Sequence, residues 1–331
     1  MKKTHKIILG VLIGLILVVS AALLLVPSEN GTLTKGNLVV KETVKIGYKD
    51  TLHYLPVMVA KERGFFEEEG INAELVNFQS SNQAMDAILT GDIDVALGNM
   101  VLQFNVEQKQ PGSIKAFMIS NETAEKGEHI DFLLVKKDSE IDSIRDLKGK
   151  RIGTNPGTTS IAYVKLYLKA NGIDEDDVEI LTAEQQLLVQ ALETEQFDAV
   201  HIYEPDATIA LDKGIARVLE EAPIERFVMN PWTSSSGYMS SKFLEERPDA
   251  AKKTIRAMIK AVNFIRENPD KAREVLPKYT SIDETLAEKV NIVPYFGSWE
   301  IDKADVQRQA DIMFEEGVIK GKVNTTQLFL T

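Results

Sequence analysis

Hydroxyl groups collect at two places in this chain where a helix is expected to begin. Ser80-Ser81-Asn82 precedes an apolar stripe of Ala84, Met85, Ile88 and Leu89, and Thr158-Thr159-Ser160 follows Asn155-Pro156-Gly157. Helix starts present outward-facing N–H groups and the positive end of a dipole, so both clusters suit an oxyanion. Serine and threonine are also ordinary N-caps, and Ser80 with Gln83 fits a capping box. Asn99, in Gly98-Asn99-Met100, adds an amide after a third apolar run. Tyr48, Tyr54, Tyr203 and Trp232 offer flat walls with polar tips for a ring or methylene chain; half-buried packing is the alternative. Thr233 and three serines follow Trp232, whereas Trp299 is expected to pack between late helices. Glu204 and Asp206 suit a cationic ligand or cap the next helix. Lys49 is the one strong cation in these loops, which argues against a multiply charged anion. His53 stands between two of the aromatics. Neither it nor His201 has His-x-x-x-His spacing, and cysteine is absent, so no metal or other cofactor is expected.

The elements that would position these groups follow from periodicity. Val44, Ile46 and Tyr48 alternate as in a strand, and a helix from about Leu55 is stopped by Gly64. Ala73 to Phe78 is a second strand, the helix opened by Ser80 ends at Gly91, and Asp94 to Leu97 is a third strand. The plan then returns: Arg151 to Thr154, a helix from Ser160 to about Ala170, Val178 to Leu181, an apolar helix, and Phe197 to Ile202. "ALETEQFDAVHIYEP" echoes "AILTGDIDVALGN". Strands alternating with helices imply doubly wound, mostly parallel α/β sheets, whose ligands gather at the carboxyl ends of the strands.

The stretch "LPVMVAKERGFFEEEGI" after a strand ending in Gly-Tyr, followed by "AMDAILTGDIDVALGN", resembles solute-binding proteins of ABC importers. The group is that for nitrate, sulfonate, taurine and thiamine precursors, with the type II periplasmic-binding-protein fold. The resemblance implies two lobes, residues 44–130 with 237–331 and residues 140–235. Crossings near Phe132–Lys136 and Met239–Ser241 would act as hinges. It implies capture of a small solute in the interlobe cleft and delivery to a permease driven by a separate ATPase, without catalysis. The expected ligand-binding residues are Tyr48, His53, Tyr54, Ser80, Ser81, Asn99, Thr158, Thr159, Ser160, Tyr203, Glu204 and Trp232. A pyrimidine synthase or similar enzyme on the same fold is the competing class. The chain has neither a Ser-x-x-Lys nor a Gly-x-Ser-x-Gly motif.

Composition agrees with an exported receptor. Net charge is -12, from 38 basic and 50 acidic residues, and there is no basic stripe to displace counterions from nucleic acid. Lys2, Lys3 and Lys6 precede Ile7 to Val26, an uncharged run of about 20 residues, near the length of a membrane-spanning helix. Residues 1–27 therefore read as a signal peptide or an uncleaved anchor, with 28–43 as a polar linker. The expected location is extracytoplasmic and membrane-anchored.

Overall fold

The computed structural model describes residues 41–78, 80–125 and 127–330; the expected apolar N-terminal helix and most of the linker lie outside them. Among the described residues no helix is long and apolar enough to cross a membrane. In chain order, β1 (Glu42–Tyr48), β2 (Ile71–Asn77), β3 (Val95–Asn99) and β4 (Ile114–Glu122) belong to a first, six-stranded sheet. A second, five-stranded sheet takes β5 (Asp131–Lys136), β6 (Arg151–Thr154), β7 (Glu179–Thr182), β8 (Ala199–Tyr203) and β9 (Ala216–Glu221). Then β10 (Trp232–Ser240) and β11 (Tyr295–Gly297) return to the first.

The sheet orders are β11-β4-β10-β3-β1-β2 and β7-β6-β8-β5-β9. Parallel winding holds for β2-β1-β3 and β7-β6-β8, while β10 and β5 insert antiparallel. Each inserted strand is the first to arrive from the other sheet. It starts at the end where its neighbours finish, and so must run against them.

This arrangement relocates the crossings. The chain passes between sheets from Glu122 to Asp131 and from Glu221 to Trp232. The expected hinges at Phe132–Lys136 and Met239–Ser241 fall largely within β5 and β10, each paired on both sides. Strands held by two ladders cannot flex without breaking hydrogen bonds. Trp232–Ser235, expected with the second lobe, likewise belongs to the first sheet.

The sequence echo has a physical counterpart. The Asp94 carboxylate accepts the Lys45 N–H at 2.9 Å, and the Asp94 N–H returns to the Lys45 carbonyl at 2.9 Å. Asp198 and Arg151 repeat the pair in the second sheet at 2.8 and 2.9 Å. Pro248–Glu267, a long amphipathic helix, buries Ala250, Ala257, Met258, Ala261 and Ile265 against the first half's core. Burying Met258 or Ile265 there stabilises by roughly 1.5–3 kcal/mol each, and each alanine methyl by under about 1 kcal/mol.

Candidate functional site

Strand registers bring the chemistry together at the crossings. Glu122, the last residue of β4, pairs with Trp232 at the start of β10. Asp131, the first residue of β5, pairs with Tyr203 at the end of β8. The β4 alternation puts Ser120 and Glu122 in phase, and both are buried beside Ser234 and Ser235. Ser120 Oγ lies 2.8 Å from Ser234 Oγ and 2.9 Å from Ser235 Oγ. Ser234 donates to Glu122 Oε1 and lies 3.2 Å from His53 Nε2. Thr233 donates to Asn121 and Ser236 to Gln103, at 2.9 and 2.8 Å. The hydroxyls after Trp232 thus form one polar seam inside the protein.

Burial, reinforced by Lys49, lowers the His53 pKa to about 4, so its imidazole is neutral at pH 7. Ser234 lies within hydrogen-bond reach of both Glu122 and His53 Nε2. In a Ser-His-Asp triad the acid orients the far nitrogen of the histidine; here the acid sits on the serine instead.

The expected residues divide between cleft and scaffold. Ser80 accepts from the Gln83 N–H at 3.2 Å and Gln83 returns to the Ser80 N–H, so the capping box forms. Asn99 caps the next helix through the Val101 N–H at 2.8 Å. Tyr54 is buried and donates to the Leu97 carbonyl at 2.6 Å, which makes it a strut. Half-buried Ser81 touches that phenol, and half-buried Tyr48 meets Tyr279 edge-on. The Thr158–Ala170 helix differs: its N-cap is Gly157, and no side chain caps it. Thr158 is exposed, and Thr159 and Ser160 are half-buried. Tyr203 is half-buried, its ring 6.3 Å from that of Trp232.

Three expectations need correction. Glu204 accepts from the Thr208 N–H at 3.0 Å, the Thr208 hydroxyl at 2.8 Å and the Asn291 N–H at 3.3 Å. It is a helix cap that also tethers the 291 segment, and burial raises its pKa to about 7. Trp232 is 2% exposed; its Nε1–H donates to the Tyr163 hydroxyl at 2.9 Å and its ring meets Tyr163 edge-on. It packs as part of the joint between the sheets. Trp299, expected to be packed, is 59% exposed, because its ring lies over Gly297 at the surface.

The two halves face one another through charged loops. Burial lowers the Lys49 pKa, opposed by neighbouring Asp50 and by Glu184 of the second half. Burial raises that of Asp206, whose carboxylate holds Gln185 Nε2 at 2.8 Å; Asp50 raises it further. Gln185 also accepts from Asn155 at 3.0 Å, which locks the second-half loops together.

Three groups escaped the sequence reading: Tyr163, Ser120 and the buried acids Glu122, Asp131 and Glu225. Burial, together with neighbouring Asp131, holds Glu122 and Glu225 well above the usual carboxylate range, although the Ser234 hydrogen bond partly offsets this for Glu122. The available signal was an acid in phase with a buried strand, in "FMISNE" and "IDFLLV".

A pair of α/β halves, each receiving one strand from the other, with loops converging on a polar seam, defines a two-sheet α/β class of protein. The chain belongs to the NMT1/THI5-like family, whose profile matches residues 51–272. It is 27% identical over 320 residues to a Bacillus subtilis (strain 168) protein named for aliphatic sulfonates, covering 94% of this chain and 92% of that one. It shares the fold of the periplasmic aliphatic sulphonate binding protein SsuA from Escherichia coli. The TM-score is 0.73 at 18% identity, over 88% of this chain and 92% of that one. A 4-amino-5-hydroxymethyl-2-methylpyrimidine phosphate synthase of Saccharomyces cerevisiae, THI11, is 20% identical over 70% of this chain and 69% of its own length.

Proposed function

We propose that this protein is the extracytoplasmic receptor of an ABC importer. It captures a small organic sulfonate or similar oxyanion between its halves and presents it to a permease driven by a cytoplasmic ATPase. The halves act as lobes, and the two crossings are their hinges. The observation that carries the ligand class is the uncapped helix start at Gly157, where hydroxyls of Thr158, Thr159 and Ser160 surround N–H groups that no side chain satisfies. Tyr48 and Tyr203 flank the organic part, and Lys49 supplies one positive charge. The similarity to sulfonate-binding proteins supports this reading, and catalysis is not required. The apolar run Ile7–Val26 serves as the anchor, which an intact mass of the native membrane-fraction protein checks.

A second reading, a thiamine- or riboflavin-precursor receptor, draws on the half-buried aromatics Tyr48 and Tyr203 and on the pyrimidine-synthase relative. Calorimetry with alkanesulfonates, taurine, nitrate, and pyrimidine and flavin precursors separates the two. An alkanesulfonate at about 100 times its dissociation constant should stabilise the protein by roughly 2.7 kcal/mol. Binding of a pyrimidine alone would replace the first reading with the second, and turnover of any of them would replace both.

A further inference from the structure

Three buried carboxylates meet where the chain passes between the sheets. Glu122 ends β4, Asp131 begins β5, and Glu225 lies in the helix Pro223–Phe227 that follows β9. One oxygen from each lies within 4.8 Å of the other two, close enough for small side-chain rotations to bring all three onto one ion with bonds of about 2.0–2.2 Å. Glu122 and Asp131 are fully buried and Glu225 is 3% exposed. Ser234 bonds Glu122 Oε1, and the Ile224 N–H bonds Asp131 Oδ2 at 3.2 Å. Glu122 Oε2, Asp131 Oδ1 and both Glu225 oxygens have no hydrogen-bond partner. Buried charges in proteins are paired or bind metals, because an isolated one is too costly to desolvate.

A separate side chain points at the same spot. His201, on the central strand β8, is fully buried, and neither ring nitrogen makes a hydrogen bond. Its Nε2 stands 3.5 Å from Asp131 Oδ2. Tyr167 and Tyr203 hold the ring edge-on, with centroids at 5.6 and 5.1 Å. An unpartnered imidazole fixed by two aromatics and directed at an acid cluster is the setting of a ligand or of its orienting neighbour.

We propose that Glu122, Asp131 and Glu225 bind one divalent cation, with His201 facing it from β8. Carboxylates with an imidazole and no thiolate suit Mn2+ or Zn2+. Glu122 and Asp131 bracket the first crossing and Glu225 lies in the second, so one ion pins both. The site adjoins the solute loops through Tyr203, whose ring meets His201, but its ligands do not include the solute.

The test uses the full chain, stripped by a chelator and titrated with Mn2+ under electron paramagnetic resonance and with Zn2+ by calorimetry. One ion per chain is expected, with a rise in melting temperature. Glu225→Gln and Asp131→Asn should each weaken binding by about 10-fold or more and abolish that rise. Asp131 also anchors the Ile224 amide, so if Asp131→Asn misfolds, the isosteric Glu225→Gln decides. Wild type that takes up neither ion, or a folded Glu225→Gln that binds as tightly as wild type, overturns the site.

Discussion

The two halves solve the same folding problem with different residues. Each has a strand, β1 or β6, in which a residue clasped by an aspartate is followed two positions later by glycine: Gly47 follows the Lys45–Asp94 pair and Gly153 the Arg151–Asp198 pair. Ile93 packs over Gly47, and the larger Phe197 over Gly153. In the first half, Arg247 reaches across to Asp94 at 3.2 Å; in the second, Arg151 itself pairs with Asp198 at 3.0 Å. The first half caps its helix starts with Ser80 and Asn99, while Gly157 and Glu184 leave two starts in the second half without a side-chain cap. The contrast belongs to these loops and not to the halves as wholes, since Leu55–Glu62 and Pro248–Glu267 of the first half also start without a side-chain cap.

Titration should expose the contrast most strongly. His53, in the first half, has its pKa lowered from 6.5 to about 4, and Glu204, in the second, is raised from 4.5 to about 7. A depressed histidine contributes stability that is complete above about pH 6.5 and is lost as pH falls toward 4. A raised carboxylate costs nothing below about pH 4.5 and progressively more up to 7. At about 1.4 kcal/mol per pH unit, each amounts to roughly 3 kcal/mol, with opposite slopes that cancel between about pH 4.5 and 6.5. Chemical denaturation across this range should show it. Wild type minus His53→Gln should rise with pH, and wild type minus Glu204→Gln should fall. Flat difference curves would show that neither group is desolvated.

The glycines give the next effect. A Cβ on Gly153 would meet Phe197 at 2.3, 2.7 and 2.9 Å, the last at the ring root, which cannot swing aside. A Cβ on Gly47 would meet only the terminal methyl of Ile93 within 3 Å, at 2.7 Å. Overpacking in a filled core costs about 1–3 kcal/mol, so Gly153→Ala should lose that much and Gly47→Ala under about 1. Equal losses would mean that the two clasps are not packed differently.

Much of this asymmetry was legible in the sequence, though unevenly. The alternation at Val44 and Ile46, the box of Ser80 and Gln83, and the echo around Asp94 and Asp198 are local, and local patterns survive folding. The inserted strands were not legible as such, since β5 and β10 read like any apolar run and only pairing reveals their direction. The acids at 122, 131 and 225 are far apart in the chain, and register alone joins them. Trp232 and Trp299 were read in reverse because exposure depends on what packs above a residue, which spacing does not contain.

The smallest effect bears most directly on function. Ser80→Ala removes a capping hydrogen bond at a start the protein satisfies by itself. It should cost about 1 kcal/mol of stability, and leave solute affinity unchanged. Thr159→Ala with Ser160→Ala removes hydroxyls that cap nothing, so stability should stay within about 0.5 kcal/mol. If those hydroxyls hold the solute, affinity should fall about tenfold, the equivalent of roughly 1.4 kcal/mol. Denaturation midpoints and calorimetric affinities on the same preparations give both readings at once. If the Ser80 variant loses affinity and the Thr159/Ser160 variant does not, the anion site belongs to the first half, where the caps must then give up their own partners to bind. That exchange would show as a solute-dependent loss of hydrogen-exchange protection at Gln83, a signature that binding at Gly157 cannot produce.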